Sequence, residues 1–142
     1  MTQITNNLCA FLDDARHAQL DDKTIEKAKH HIVDTIAAMI SGTALDVGKR
    51  SFKALSSFEG LPEATVFGQS KRYPAYWAAM FNAMLAHADE TDDSHETSIT
   101  HPGCGIVPTA MAMSQREKKG GMDFIRAVCA GYDVGPRITE AL

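Results

Sequence analysis

From Asn82 to Pro108 the sequence reads Asn-Ala-Met-Leu-Ala-His-Ala-Asp-Glu-Thr-Asp-Asp-Ser-His-Glu-Thr-Ser-Ile-Thr-His-Pro-Gly-Cys-Gly-Ile-Val-Pro, and most of the chemically capable side chains of the chain fall here. Carboxylates and imidazoles a few residues apart suit either a metal centre or a general acid and base pair. His87, Asp89, Glu90, Asp92, Asp93, His95, Glu96, His101 and Cys104 all carry atoms able to ligate. No pair among them has the spacing of a His-Glu-x-x-His helix, and no second ligand pair stands elsewhere in the chain. Acid–base work with no metal is therefore favoured over a metal centre. The bland alternative is a solvated acidic loop whose Asp and Ser residues cap helices.

Gly103, Cys104 and Gly105 are small and lie where a helix rich in Ile106, Val107, Ala110, Met111 and Met113 is expected to start. Free amides at a helix start attract anions, and small side chains let a carboxylate or phosphate approach the backbone. His101 would stand beside such an anion.

The surrounding sequence must position this stretch, and its apolar spacing predicts helices. Ile4, Leu8, Phe11, Leu12 and Ala15 recur every three or four residues, the period of one helical face. Asp21 or Asp22 can cap a second helix, whose stripe Ile25, Ala28, Ile32, Ile36 and Ile40 is expected to end at Gly42. Val47, Phe52, Leu55 and Phe58 allow a third helix ending before Gly60. Ala64 to Phe67 reads as a short extended segment without an obvious partner. Pro74 suits the first turn of a fourth helix over Ala75 to Leu85, expected to be nearly buried. A fifth helix should start near Gly105, since Pro108 is tolerated in a first turn. A sixth should run from Met122 until Gly135-Pro136 kinks or breaks it. The expected fold class is all-α, a bundle of about six helices forming one domain over residues 1–142.

Composition narrows the partners. The 142 residues are 44% hydrophobic and 23% charged, with a net charge of -4 and scattered lysines and arginines, which gives no footprint for nucleic acid. Three widely spaced cysteines without a Cys-x-x-Cys pair point to reduced thiols and a cytoplasmic setting. Ile32 to Ile40 is too short to span a membrane and carries Asp34, and no signal peptide is evident. The apolar faces of Ala75 to Leu85 and Ile32 to Ile40 exceed what six short helices cover, so association with a second copy or a complementary portion is expected.

The run Asn82-Ala83-Met84-Leu85-Ala86-His87-Ala88-Asp89-Glu90-Thr91-Asp92-Asp93-Ser94-His95, with Thr100-His101-Pro102-Gly103 and Val107-Pro108-Thr109-Ala110, resembles the signature of the MmgE/PrpD family. Leu20-Asp21-Asp22, Asp34-Thr35-Ile36, Glu63 to Gly68 and Gly131-Tyr132-Asp133-Val134 are similar to flanking family segments. The resemblance implies a metal-independent lyase without cofactor, acting on small polycarboxylic acids by dehydration, decarboxylation or epimerisation. It also implies an N-terminal helical domain, incomplete relative to the family and inactive alone. His101 is then the acid or base, Ser94 orients a substrate oxygen and Glu90 polarises the site. Gly103, Cys104, Gly105, Asp92 and Asp93 complete the substrate-binding set. Common family forms carry Asp and Thr where this chain has Glu90 and Ser94, an apolar residue at Asp89 and an aromatic one at Thr91. The alternative reading is a non-catalytic helical module that docks to a full-length homologue or a missing half.

Overall fold

The computed structural model describes residues 2–142. Among them the chain forms α1 (Gln3–Ala15), α2 (Asp22–Ala44), α3 (Asp46–Leu55), β1 (Ala64–Thr65), β2 (Arg72–Tyr73), α4 (Ala75–Ala86), α5 (Pro102–Arg116) and α6 (Gly121–Glu140). The all-α bundle of six helices expected from the spacing is the observed architecture, with one small hairpin added. α4 packs between α2 and α5, α6 covers α5, and α1 touches α6 alone. No helix among the described residues is long and apolar enough to cross a membrane.

The centre of the core is made by Met39, Leu55, Leu85, Val66, Val107 and Val128. α2 begins where Asp21 accepts from the Thr24 amide at 2.7 Å, and its buried stripe runs Ala28, Ile32, Thr35, Ala38, Met39, Gly42. The helix does not end at Gly42. A Cβ at that position would lie 2.1 Å from the Leu85 carbonyl oxygen, so this glycine permits close approach of α2 to α4 rather than terminating the helix. A single extended residue, Leu45, then turns the chain into α3.

The extended segment does have a partner. Ala64 pairs with Tyr73 and Thr65 with Arg72 in an antiparallel ladder, too short for any sequence period to reveal. The wholly buried Asn82 holds it to α4, accepting from the Phe67 amide at 3.0 Å and donating to the Thr65 carbonyl at 2.9 Å. Glu63 caps α4 by accepting from the Ala75 amide. Only one face of α4 is buried. Tyr76, Met80 and Met84 remain exposed, which corrects the expectation of a nearly buried helix.

Both prolines expected to limit helices lie inside them. α5 starts at Pro102, not near Gly105, and Pro108 falls in its interior. α6 continues through Pro136 to Glu140. Each proline removes a backbone donor, a cost of roughly 3 kcal/mol in a solvated helix. Here both rings are buried, so packing offsets it. Thr109 also donates to the Gly105 carbonyl at 2.7 Å beside the gap left by Pro108. Replacement Gly42→Ala should destabilise the bundle by about 1–3 kcal/mol or more, because the Leu85 backbone has nowhere to move. A urea titration followed by circular dichroism measures the loss, and an unchanged midpoint would show that α2 and α4 can separate freely.

Candidate functional site

The polar stretch leaves α4 at His87, which ends that helix, and returns to the bundle at Pro102. In between, a bridge joins His95 and Thr100, with the His95 amide donating to the Thr100 carbonyl at 2.8 Å. Inside it the buried Ser98 bonds His95 Nδ1 at 2.8 Å and the Thr100 hydroxyl at 2.7 Å. At its tip Thr97 donates to Glu140 of α6 at 2.6 Å. Nearer its start, Asp89 accepts from Ser41 of α2 and from Thr91. These bonds, with Ser41 first, hold the Asp89 carboxyl below the usual carboxylate range. The stretch is thus tied to α2 and α6 as well as to its own ends.

Asp93 is the strongest tie. Its Oδ1 accepts from the Gly103 amide at 2.8 Å, its Oδ2 accepts from the Tyr132 hydroxyl at 2.6 Å, and His31 Nδ1 stands 3.3 Å from the same Oδ2. The helix start expected to hold a ligand anion is therefore already served by a carboxylate of the chain. A Cβ on Gly103 would meet Asp93 Oδ1 at 2.5 Å, Thr35 Oγ1 at 2.8 Å and Tyr132 Oη at 2.8 Å. Burial first, then the Asp93 bond, pushes the Tyr132 phenol well above its ordinary range, so it remains a donor.

The backbone of Asp93 sets the chemistry of His101. His101 Nδ1 lies 2.9 Å from the Asp93 carbonyl oxygen, 3.4 Å from Ser94 Oγ and 3.8 Å from Asp92 Oδ1. A carbonyl only accepts, so the neutral imidazole carries its proton on Nδ1 and keeps the Nε2 lone pair free. The Asp92 side chain is wholly buried, with His87 Nδ1 at 3.1 Å, and the His87 and His101 rings lie 5.1 Å apart. Cys104 Sγ donates to the His101 carbonyl at 3.0 Å. Burial first, then Asp92, pushes this thiol up to about 12, so it stays protonated near neutral pH.

Of the residues the sequence singled out, His101, Ser94, Asp92, Asp93, Gly103 and Cys104 come together. Glu90 and Gly105 do not join them by any described contact. Glu90 is exposed in a left-handed conformation (φ 54°), and no side-chain bond or ion pair ties it to the cluster among the described residues. Gly105 is exposed, with open space where a Cβ would go. Three contributors were missed: His31 and Thr35 on α2 and Tyr132 on α6. Thr35 and Tyr132 fall in segments that resemble the family's flanking pieces, and His31 is marked only as a polar residue beside an apolar helical stripe.

Comparisons with known proteins identify the family of this chain. The model of the MmgE/PrpD N-terminal domain matches residues 6–142. The chain belongs to the MmgE/PrpD family. It is 27% identical to a cis-aconitate decarboxylase-like protein, oryM, of Aspergillus oryzae over 98% of this chain and 30% of that protein. It is 28% identical to the cis-aconitate decarboxylase of Aspergillus terreus, covering 98% of this chain and 29% of the relative. With the human cis-aconitate decarboxylase the identity is 27%, over 97% and 30%. This MmgE/PrpD chain thus spans about 30% of the length of the curated relatives it matches. No solved structure matches it.

In this family member, Tyr132→Phe should lower stability by roughly 1–3 kcal/mol, because a charged, part-buried acceptor loses its shortest bond. Gly103→Ala should cost at least as much, since three side chains must move. Equilibrium unfolding checks both; a loss below about 0.5 kcal/mol in each would show that the Asp93 tie is ornamental.

Proposed function

We propose that this domain supplies the proton-transfer group of a lyase that acts on a small polycarboxylic acid, with His101 as acid and base. The observation that carries this is the 2.9 Å approach of His101 Nδ1 to the Asp93 carbonyl oxygen, which assigns the proton of a neutral ring to Nδ1 and leaves Nε2 for the substrate. Dehydration needs a base to take a proton from carbon beside a carboxylate and an acid to protonate the departing hydroxide. Decarboxylation breaks a C–C bond, leaves the electron pair on the substrate carbon and needs a donor to protonate it. One imidazole alternating between its two protonation states serves either course. The named relatives, cis-aconitate decarboxylases, favour the second. Ser94 lies beside the ring to orient a substrate oxygen, and Glu90 would have to turn inward to polarise the substrate. Asp92 and Asp93 flank His101, and Gly103 admits the Asp93 carboxylate against the start of α5. No cofactor is needed for these steps. The three free cysteines fit a reducing, cytoplasmic compartment.

The charge balance shows what this domain must receive from elsewhere. Between Arg72 and Arg116 the chain has no lysine or arginine, while Asp89, Glu90, Asp92, Asp93 and Glu96 add negative charge. Burying two or three substrate carboxylates without cations is costly. The cations must come from another part of the enzyme or another chain. Calorimetry on the 142-residue chain with cis-aconitate or citrate should give binding no tighter than about 1 mM, equivalent to about -4 kcal/mol, and no turnover. In a complemented enzyme His101→Gln should lower kcat by roughly 100- to 10,000-fold. Micromolar binding by the chain alone, or full activity of the variant, would sink this reading.

A second reading, a helical module that acts by docking, is favoured by one observation. Val33 and Ile40 on α2 and Tyr76, Met80 and Met84 on α4 are exposed apolar side chains. Such faces attract a second copy or the complementary portion of the enzyme. Sedimentation of the purified chain at micromolar concentration should show dimers or larger species; a monomer that binds no apolar dye would remove this reading.

A further inference from the structure

We propose that His87, Asp92 and Cys104 form a binding site for one divalent metal ion of the zinc class. Their ligand atoms all lie within 4.8 Å of one another, although sequence separations of 5 and 12 match no metal motif. The site differs from the sequence expectation of no metal, because it is assembled by three separate elements. His87 ends α4, Asp92 lies in the pinned loop, and Cys104 sits in the first turn of α5.

Charge supplies the second argument. The Asp92 side chain has no exposure, yet among the described residues the only basic groups within 4 Å of its carboxylate are the imidazoles of His87 and His101. A buried carboxylate with two imidazoles as its basic neighbours and no lysine or arginine is an electrostatic demand that a divalent ion meets directly. The His87 side chain is 47% exposed, which leaves an entry path.

Chemistry selects the ion. One imidazole nitrogen, one carboxylate oxygen and one sulfur form a mixed donor set that suits Zn²⁺ or Co²⁺ and not Mg²⁺ or Ca²⁺. Bonds of about 2.0–2.3 Å in a tetrahedral site put ligand atoms roughly 3.3–3.8 Å apart, so closure takes about 1 Å of side-chain movement. On binding, Cys104 releases its proton to solvent and gives up its bond to the His101 carbonyl. His87 exchanges its hydrogen bond with Asp92 for a bond to the metal. The fourth position stays open to water or to a carboxylate oxygen.

The test uses the 142-residue chain and the metals alone, so it does not depend on the lyase reading, and failure of one leaves the other standing. Zn²⁺ titrated against a chromogenic chelator should bind at one equivalent. Co²⁺ should produce a sulfur-to-metal charge-transfer band. Cys104→Ser should abolish the band, and Cys104→Ser, His87→Ala and Asp92→Asn should each weaken Zn²⁺ at least tenfold. Circular dichroism identifies any variant that unfolds. The double variant Cys9→Ser, Cys129→Ser should keep both signals. Absence of uptake by the folded parent chain would overturn the site, as would a band that survives Cys104→Ser or vanishes in the double variant. Loss on His101→Ala with no loss on His87→Ala would overturn this ligand set.

Discussion

The carboxylate of Asp93 holds the functional region together. It accepts from the first turn of α5 through Gly103, from α6 through Tyr132, and lies against His31 of α2, so one side chain joins three helices to the loop that carries it. The helix start stabilises the negative charge, and the charge satisfies an amide that the helix cannot pair internally. The backbone carbonyl of the same residue then fixes the proton of His101. Position and tautomer of the proposed acid and base thus share one origin. The absence of a side chain at Gly103 is what lets the three donors and acceptors converge.

Packing of the bundle prepares this arrangement. Gly42 on α2 is small where it meets Leu85 of α4, which brings the two backbones together near the start of the loop. Asn82 contributes from the same helix. Its amide is spent on the hairpin, so a residue inside the chemically suggestive stretch turns out to be part of the scaffold. Asp89 accepts from Thr91 within the loop and from Ser41 of α2. The loop is anchored to α2 by polar contacts in place of buried surface.

Negative charge dominates the region. Asp92 and Asp93 are both largely removed from solvent, and imidazoles and a phenol serve them in place of lysines or arginines. Such groups donate without adding a permanent positive charge, so the field around His101 stays negative. A negative field opposes an approaching polyanion. It accords with the proposed lyase, whose substrate would be held by cations from elsewhere, and with the proposed site for a divalent ion.

By itself the sequence determined the helical class and the helix count, and it marked the stretch proposed to carry the chemistry. Those depend on local periods and local composition. His101, Ser94, Asp92, Asp93, Gly103 and Cys104 were legible as a group because a motif of specific residues encloses them. The tertiary structure alone decided what each one touches. Gly42 reads as a helix stop until α4 is seen against it; Pro108 reads as a first-turn residue and Pro136 as a kink or break until both are seen inside helices with their rings buried. His31 and Tyr132 are about 100 residues apart, and nothing in either local pattern announces that they meet at Asp93. A helical period specifies which face is buried, not which residue of another helix it will face. That pairing follows from close packing of whole helices, and it converts an acidic loop into a site with a defined proton.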